Sequence, residues 1–320
     1  MKNVVVLRGG PSQEYDVSMR TGQAVLEALN KLGYTHKDVV VSKKGEWLHN
    51  GFVRNPEAVL DATDVVFLAL HGEYGEDGQV QRILQRKNVP FTGSRAMPSS
   101  IAFNKELTKE TLRSLNIRMP RHRRVTRHEL KSLDEEIPNI FREVGKELFV
   151  KPISAGSSVG ASYAPTKETL KSALTTLLDM YEQVLVEEFI RGKEATVGVL
   201  NNFRNVTTYA LPVVEIVPPK SDVFYSATNK YNGSTEQICP GRFSYHEKAM
   251  LSEAASLVHE AIGCDQYSRS DFIVKDGEIY FLEINTLPGL TPHSNFPKAA
   301  SAVGLEFPYL IKHLVETATV

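Results

Sequence analysis

Four short β-branched runs punctuate the first hundred residues, and their spacing constrains the fold more than any other feature. Val4 to Leu7, Val39 to Val41, Val65 to Leu70 and Val89 to Phe91 are apolar without alternation, the pattern of strands covered on both faces of a parallel sheet. Between the first two runs, Val17, Val25, Ala28, Leu29 and Leu32 recur at helical spacing, and Gly33 follows as a C-terminal stop. Strand and helix in alternation predict an α/β class with an N-terminal doubly wound parallel sheet. Ligands of such sheets bind beyond the carboxyl ends of the strands, here Arg8 to Ser12 and His71 with Gly72.

One such unit does not account for 320 residues, so two or three units of roughly 100 residues each are expected. A second unit begins near Asn104 with a Lys/Glu-rich helical stretch to Leu115. It continues through a strand at Leu148 to Lys151, a helix near Glu168 to Met180 and a strand at Val184 to Glu187. A third unit, from about Ala195, holds a helix near His246 to Ile262 and a hairpin near Arg269 to Asn285. The irregular segment Pro218 to Arg242 is too long for a connector and reads as a lid or binding loop.

With 37 basic and 38 acidic residues the formal charge is −1, so no global field favours nucleic acid or an anionic membrane. The densest basic run, Arg121 to Arg124, reads as a solvated strand edge. No segment reaches the roughly 18 apolar residues of a membrane span, and the N-terminal run is too short for a signal peptide. Cys239 and Cys264 alone make neither a zinc cluster nor a disulfide framework. A cytoplasmic protein fits these observations.

Two segments carry chemistry. Lys151 closes a predicted strand and precedes the small-residue loop Ile153 to Gly160, whose backbone N–H groups could approach phosphate oxygens. An ordinary flexible turn would look the same, and no Walker loop is present. In the hairpin, Glu283 and Asn285 are two apart and leave one strand face, with Asp271 as a third oxygen donor. Oxygen-only donors suit magnesium. If Asp271 and Glu283 share a cation, a two-residue turn at Asp276 and Gly277 gives the wrong parity. We therefore expect an odd, three-residue loop with Gly277 left-handed.

Taken together, His71 to Gln81, Lys151 with Gly156 to Gly160, and Glu283 to Thr291 resemble the D-alanine–D-alanine ligase family, in the family's order along nearly the whole chain. The resemblance implies an ATP-grasp fold: residues 1–104 an N-terminal α/β domain, 105–194 a central domain, and 195–320 a C-terminal domain with a closing loop at 218–242. It implies two D-alanine substrates, ATP and two magnesium ions (manganese being an alternative), and a homodimer. Lys105, Lys151 and Lys230 match lysines that contact ATP phosphates. Glu187 would face the adenine amino group, Phe189 and Ile190 line the adenine pocket, and Glu194 holds the ribose. Asp271, Glu283 and Asn285 match the metal ligands. Glu14 matches the carboxylate that receives the first substrate's ammonium, in a hydrogen-bonded triad with Ser157 and Tyr231. His71 would lie beside that substrate, Arg269 and the Gly289 N–H would stabilise an oxyanion, and Ser294 would hold the second carboxylate.

Some positions depart from the family pattern. Tyr15 and Asp16 replace His-Glu, Asn104 replaces an aspartate, Arg95 and Pro98 are unusual, and the loop Phe224 to Tyr231 lacks its acidic centre. Asn295 stands beside the second substrate where leucine is usual. Tyr231, where ester-forming relatives carry histidine, points to amide synthesis. The alternatives are another D-amino-acid or dipeptide ligase, such as a D-alanine–D-serine enzyme, and a catalytically silent nucleotide-binding protein on the same fold.

Overall fold

A computed structural model describes residues 2–156, 160–219 and 235–320. Among them the chain is a mixed α/β protein with three sheets. The first unit contains β1 (Asn3–Gly9), α1 (Tyr15–Lys31), β2 (Thr35–Val41), β3 (Trp47–His49), β4 (Phe52–Arg54), α2 (Pro56–Leu60), β5 (Val65–Leu68) and α3 (Gln79–Lys87). Its sheet has the order β4-β3-β2-β1-β5. β1 runs parallel to both neighbours, and Val4 to Leu7 are all buried, as a central strand requires. α1 ends where Gly33 adopts φ +77° and Tyr34 N–H returns to Leu29 O.

Two details differ from the sequence reading. Val89 to Phe91 is no strand; Phe91 makes one parallel bridge to Val66 and one antiparallel bridge to Thr319. Pro90 has no N–H to extend a ladder. The sheet grows at its other edge instead, where β3 and β4 add an antiparallel hairpin to β2.

α4 (Ala96–Phe103) and α5 (Lys105–Thr111) lead into the second unit. Asn104 separates them and caps α5, its Oδ1 accepting from Leu107 N at 3.0 Å. The second sheet, β6-β9-β7-β8, is antiparallel and consists of β6 (His122–Thr126), β7 (Leu148–Pro152), β8 (Ser162–Ala164) and β9 (Gln183–Glu188). α6 (Leu133–Val144) and α7 (Lys167–Met180) bury Ile137, Ile140, Leu170 and Leu174 in one core with Val150, Val184 and Val186. The alternation of β7 and β9 turns Lys151 and Glu187 to the opposite face.

The third sheet has the order β13-β12-β10-β14-β15, with β11 paired to β10. Its members are β10 (Lys193–Phe203), β11 (Val206–Ala210), β12 (Val214–Val217), β13 (Glu236–Ile238), β14 (Tyr267–Lys275) and β15 (Glu278–Asn285). α8 (Tyr245–Ile262) packs Leu251, Ala255 and Val258 into one core with Val197, Phe272 and Phe281. After α9 (Asn295–Ser301), α10 (Phe307–Glu316) returns to α1, and Lys2 Nζ donates to Val315 O at 3.0 Å. Among the described residues no helix is long and apolar enough to cross a membrane.

The β14–β15 hairpin reaches the expected alignment by another route, so the three-residue loop is corrected. Asp276 and Gly277 form a two-residue turn, at φ 52° and 79°, and Lys275 pairs with Glu278. Gly277 is left-handed as expected. Regular pairing from that turn would set Asp271 opposite Leu282, but the register shifts between Phe272 and Asp271, and Asp271 pairs with Glu283. Leu282 is the extra residue of a β-bulge. Parity is thus restored inside the strand, leaving Phe272 and Phe281 together on the core face with ring centroids 5.8 Å apart.

Candidate active site

A cavity of about 460 Å³ lies between the second and third sheets, and loops following β1 and β5 reach it from the first unit. Its lining includes Glu14, His71, Lys105, Lys151, Glu187, Phe189, Ile190, Glu194, Arg269, Asp271, Glu283, Asn285, Gly289, Ser294 and Asn295. Every described candidate residue therefore meets in one place. Ser157, Lys230 and Tyr231, with most of the closing loop, lie outside the described residues.

The hairpin supplies the acidic corner. Arg269 is paired with Asn285 and Asp271 with Glu283, so four side chains at alternate positions share one face. Arg269 donates to Asp271 through Nε at 2.9 Å and Nη2 at 2.8 Å. Thr196, across from Asp271 on β10, donates its hydroxyl to Asp271 Oδ1 at 2.6 Å. Among the described residues no cluster of three or more His, Cys, Asp or Glu assembles for a metal. Two carboxylates with the Asn285 amide oxygen are a smaller set, which fits a magnesium ion that takes its other ligands from water and phosphate. The Asn285 Nδ2, buried without a partner, leaves this amide unengaged by the protein on its nitrogen side.

The lysines come from the opposite wall. Lys105, at the start of α5, donates to Ala155 O at 2.8 Å and stands 3.3 Å from Glu283 Oε2. Lys151 Nζ lies 2.6 Å from Glu187 Oε2, and Lys109 Nζ lies 2.8 Å from Glu187 Oε1. Burial alone would raise the Glu187 pKa, but the two ammonium groups outweigh it and hold the carboxyl at about 2. Both Glu187 oxygens are thus occupied by lysines. Phe189 packs its ring near Tyr163 and Phe149, and the Arg191 guanidinium lies 5.4 Å from the Phe189 centroid. Glu194 and Thr196 alternate onto the cavity side of β10.

At the far end, Glu14 is fitted into backbone that only glycine allows. A Cβ on Gly156 would fall 2.2 Å from Glu14 Oε2, and one on Gly72 would fall 2.8 Å from it. His71 is 5% exposed and has both ring nitrogens engaged. Nδ1–H donates to Leu287 O at 3.0 Å, and Nε2 accepts from Thr21 Oγ1 at 2.8 Å. This fixes one neutral tautomer, and burial holds its pKa below the usual histidine range. Ser294 Oγ accepts from Thr291 N at 3.2 Å, folding the Gly289 to Ser294 loop about itself.

Several residues at the site were missed by sequence reading. Glu76 accepts from Gly72 N at 3.2 Å, and its pKa is pushed up to about 8 by burial and then by the Glu14 charge. Thr196 and Lys109 were also missed. Conversely, Arg8 is held by Asp38 and Gly10 N–H by Val41 O, so that part of the first loop serves the fold. The basic run is neutralised locally: Arg121 pairs with Glu188, Arg123 with Glu129, Glu136 and Glu143, and Arg124 with Glu106. Arg95 ties the end of the first unit to Asp265 at 2.9 Å.

Comparison with known proteins identifies the family. The family model described as D-ala D-ala ligase C-terminus matches residues 111–316, and the one described as D-ala D-ala ligase N-terminus matches residues 49–94. A D-alanine–D-alanine ligase of Desulforamulus reducens is 37% identical over 98% of this chain and 97% of its own length. One from Pelotomaculum thermopropionicum is 38% identical over 98% and 96%. Among solved structures, the D-alanine–D-alanine ligase of Bacillus anthracis complexed with ATP superposes with a TM-score of 0.78, at 29% identity over 99% of this chain and 97% of that one. The VanG D-Ala:D-Ser ligase of Enterococcus faecalis gives a TM-score of 0.83, at 28% identity over 99% of both chains. With an ATP-grasp fold, both domain models matched and full-length relatives above one third identity, the chain belongs to the D-alanine–D-alanine ligase family.

Proposed function

We propose that this chain uses ATP to join two D-alanine molecules into D-alanyl-D-alanine, a precursor for peptidoglycan. One observation carries the reading: Glu14, Arg269 with Asp271, Glu283 and the lysines Lys105 and Lys151 line a single cavity, so an ammonium site, a carboxylate and oxyanion site and a phosphate site are contiguous. The matched relatives carry the same activity in their names.

The chemistry follows from what a carboxylate lacks. It is a poor acyl donor to an amine, so its oxygen must first attack the γ-phosphorus of ATP to give an acyl phosphate and ADP. The second amine then attacks the acyl carbon, and phosphate leaves from a tetrahedral intermediate. Glu14 receives the first ammonium and fixes that substrate's direction. Arg269 and the Gly289 N–H face the oxygen that gains charge at the acyl carbon. Lys105, Lys151 and Lys230 neutralise phosphate oxygens. Magnesium, held by Asp271, Glu283 and Asn285, would screen the charge of the transferred phosphoryl group. Glu187, Phe189, Ile190 and Glu194 seat the nucleoside. The Glu14, Ser157 and Tyr231 triad, Ser294 on the second carboxylate, a cytoplasmic location and a homodimer belong to the same proposal.

Phosphate release from ATP, assayed across single D- and L-amino acids and D-lactate with product identification, tests it. D-alanine should support turnover and yield the dipeptide amide. D-serine as the preferred second substrate would move the assignment to Asn295, which lines the cavity. ATP binding without turnover by any of these would leave a silent nucleotide-binding protein.

A further inference from the structure

Lys109 has no part in the reactions above, yet it is among the most deeply buried charges of the chain. α5 sets Lys105 and Lys109 four residues apart on one helical face. Lys105 lines the cavity and Lys109 does not. Lys109 sits behind Glu187, and each of the two residues is 2% exposed. Lysine is almost never buried this far without a partner. Here the partner is Glu187 Oε1 at 2.8 Å, while Lys151 takes Oε2 at 2.6 Å. At 2.8 Å the Lys109 ammonium and the Glu187 carboxylate are in direct contact, opposite charges facing each other away from water.

The charge count gives the arrangement a purpose. Two ammonium groups on one carboxylate leave the cluster with one net positive charge, and the ammonium facing the cavity is that of Lys151. Without Lys109, Glu187 would cancel Lys151, and the cavity wall would be neutral at that point. In a poorly solvated site a single charge has a large effect on an anion nearby. We propose that Lys109 is a positioning residue that neutralises Glu187, so that Lys151 keeps a net positive charge for the phosphates of a bound nucleotide. The inference rests on the nucleotide reading of this cavity.

The test is the ratio of ADP affinity to adenosine affinity, measured by calorimetry on the full chain. The ratio isolates the phosphate contribution and cancels any change in contacts to the base. Lys109→Met should lower it tenfold or more, and Lys109→Arg should hold it near the parent value. Glu187→Gln should raise it, and Lys109→Met combined with Glu187→Gln should bring it back to within about threefold of the parent. A purely structural lysine would lower the melting temperature and leave the ratio alone. An unchanged ratio in folded Lys109→Met overturns the inference, as does a double variant that stays low. Should Lys109→Met not fold, Glu187→Gln decides, since a ratio at or below the parent overturns the inference equally. Parent protein that binds no ADP overturns the nucleotide reading, and this inference with it.

Discussion

Asp271 stands directly opposite Glu283 because Leu282 is bulged out of the ladder between β14 and β15. The bulge lets an even, two-residue turn coexist with two carboxylates on one face and two phenylalanines on the other. The turn itself makes no contact with the site, which separates its stability from its function.

Gly277 has φ +79°, and a Cβ there would meet nothing within 4 Å. Gly277→Val should therefore cost only conformational strain, about 1 to 2 kcal/mol. Chemical denaturation should show that loss, with turnover at 25 °C unchanged. A large loss of turnover without loss of stability would show that the turn does more than connect the strands.

Gly156 tests the cradle of Glu14. A Cβ at 2.2 Å from Glu14 Oε2 cannot be accommodated without moving that carboxylate or the loop. Gly156→Ala should raise the KM for the first D-alanine by tenfold or more, with the melting temperature nearly unchanged. An unaltered KM would place the first substrate elsewhere.

Gln266 joins units distant in sequence. Its Oε1 accepts from Gly93 N at 2.7 Å, and its Nε2 donates to Leu314 O at 2.8 Å, at 5% exposure. Gln266→Ala strands both backbone groups and should cost about 2 to 3 kcal/mol in urea denaturation. A change under 0.5 kcal/mol would mean that water replaces the amide.

His259 gives a pH dependence independent of the active site. It is 1% exposed, accepts or donates at Nδ1 to Ser268 Oγ at 2.7 Å, and burial lowers its pKa from 6.5 to about 4. On acidification the unfolded chain binds the proton first. This part of the stability is complete above pH 6.5 and is lost as pH falls toward 4, by on the order of 3 kcal/mol. His259→Gln should flatten that portion of the curve. A His259→Gln variant that keeps the wild-type pH dependence between pH 6.5 and 4.5 contradicts the assignment, the difference between the two curves being free of the opposing contribution of Glu76.

Much of this was legible in sequence because it depends on local periodicity. β1, α1, β7, α7, β9 and α8 follow directly from apolar spacing, and the i, i+2 rule placed Glu283 and Asn285 on one face. The bulge was not legible, because a parity error can be corrected at any point along a strand and nothing in Phe281, Leu282 and Glu283 marks where. Lys109 and Thr196 were missed for a related reason. A lysine in a Lys/Glu-rich helix looks solvated until α5 is known to lie behind Glu187, and a threonine in a strand carries no sign of the carboxylate beside it. Arg95 had no evident role until Asp265 appeared next to it, 170 residues away.

The acyl-phosphate route makes a demand on individual atoms. Supplied with ATP and D-alanine labelled with ¹⁸O in its carboxyl group, the protein should release phosphate carrying one labelled oxygen per dipeptide formed, because the attacking carboxylate oxygen leaves with phosphorus. Dipeptide formed alongside unlabelled phosphate, or label recovered in AMP, would contradict the account.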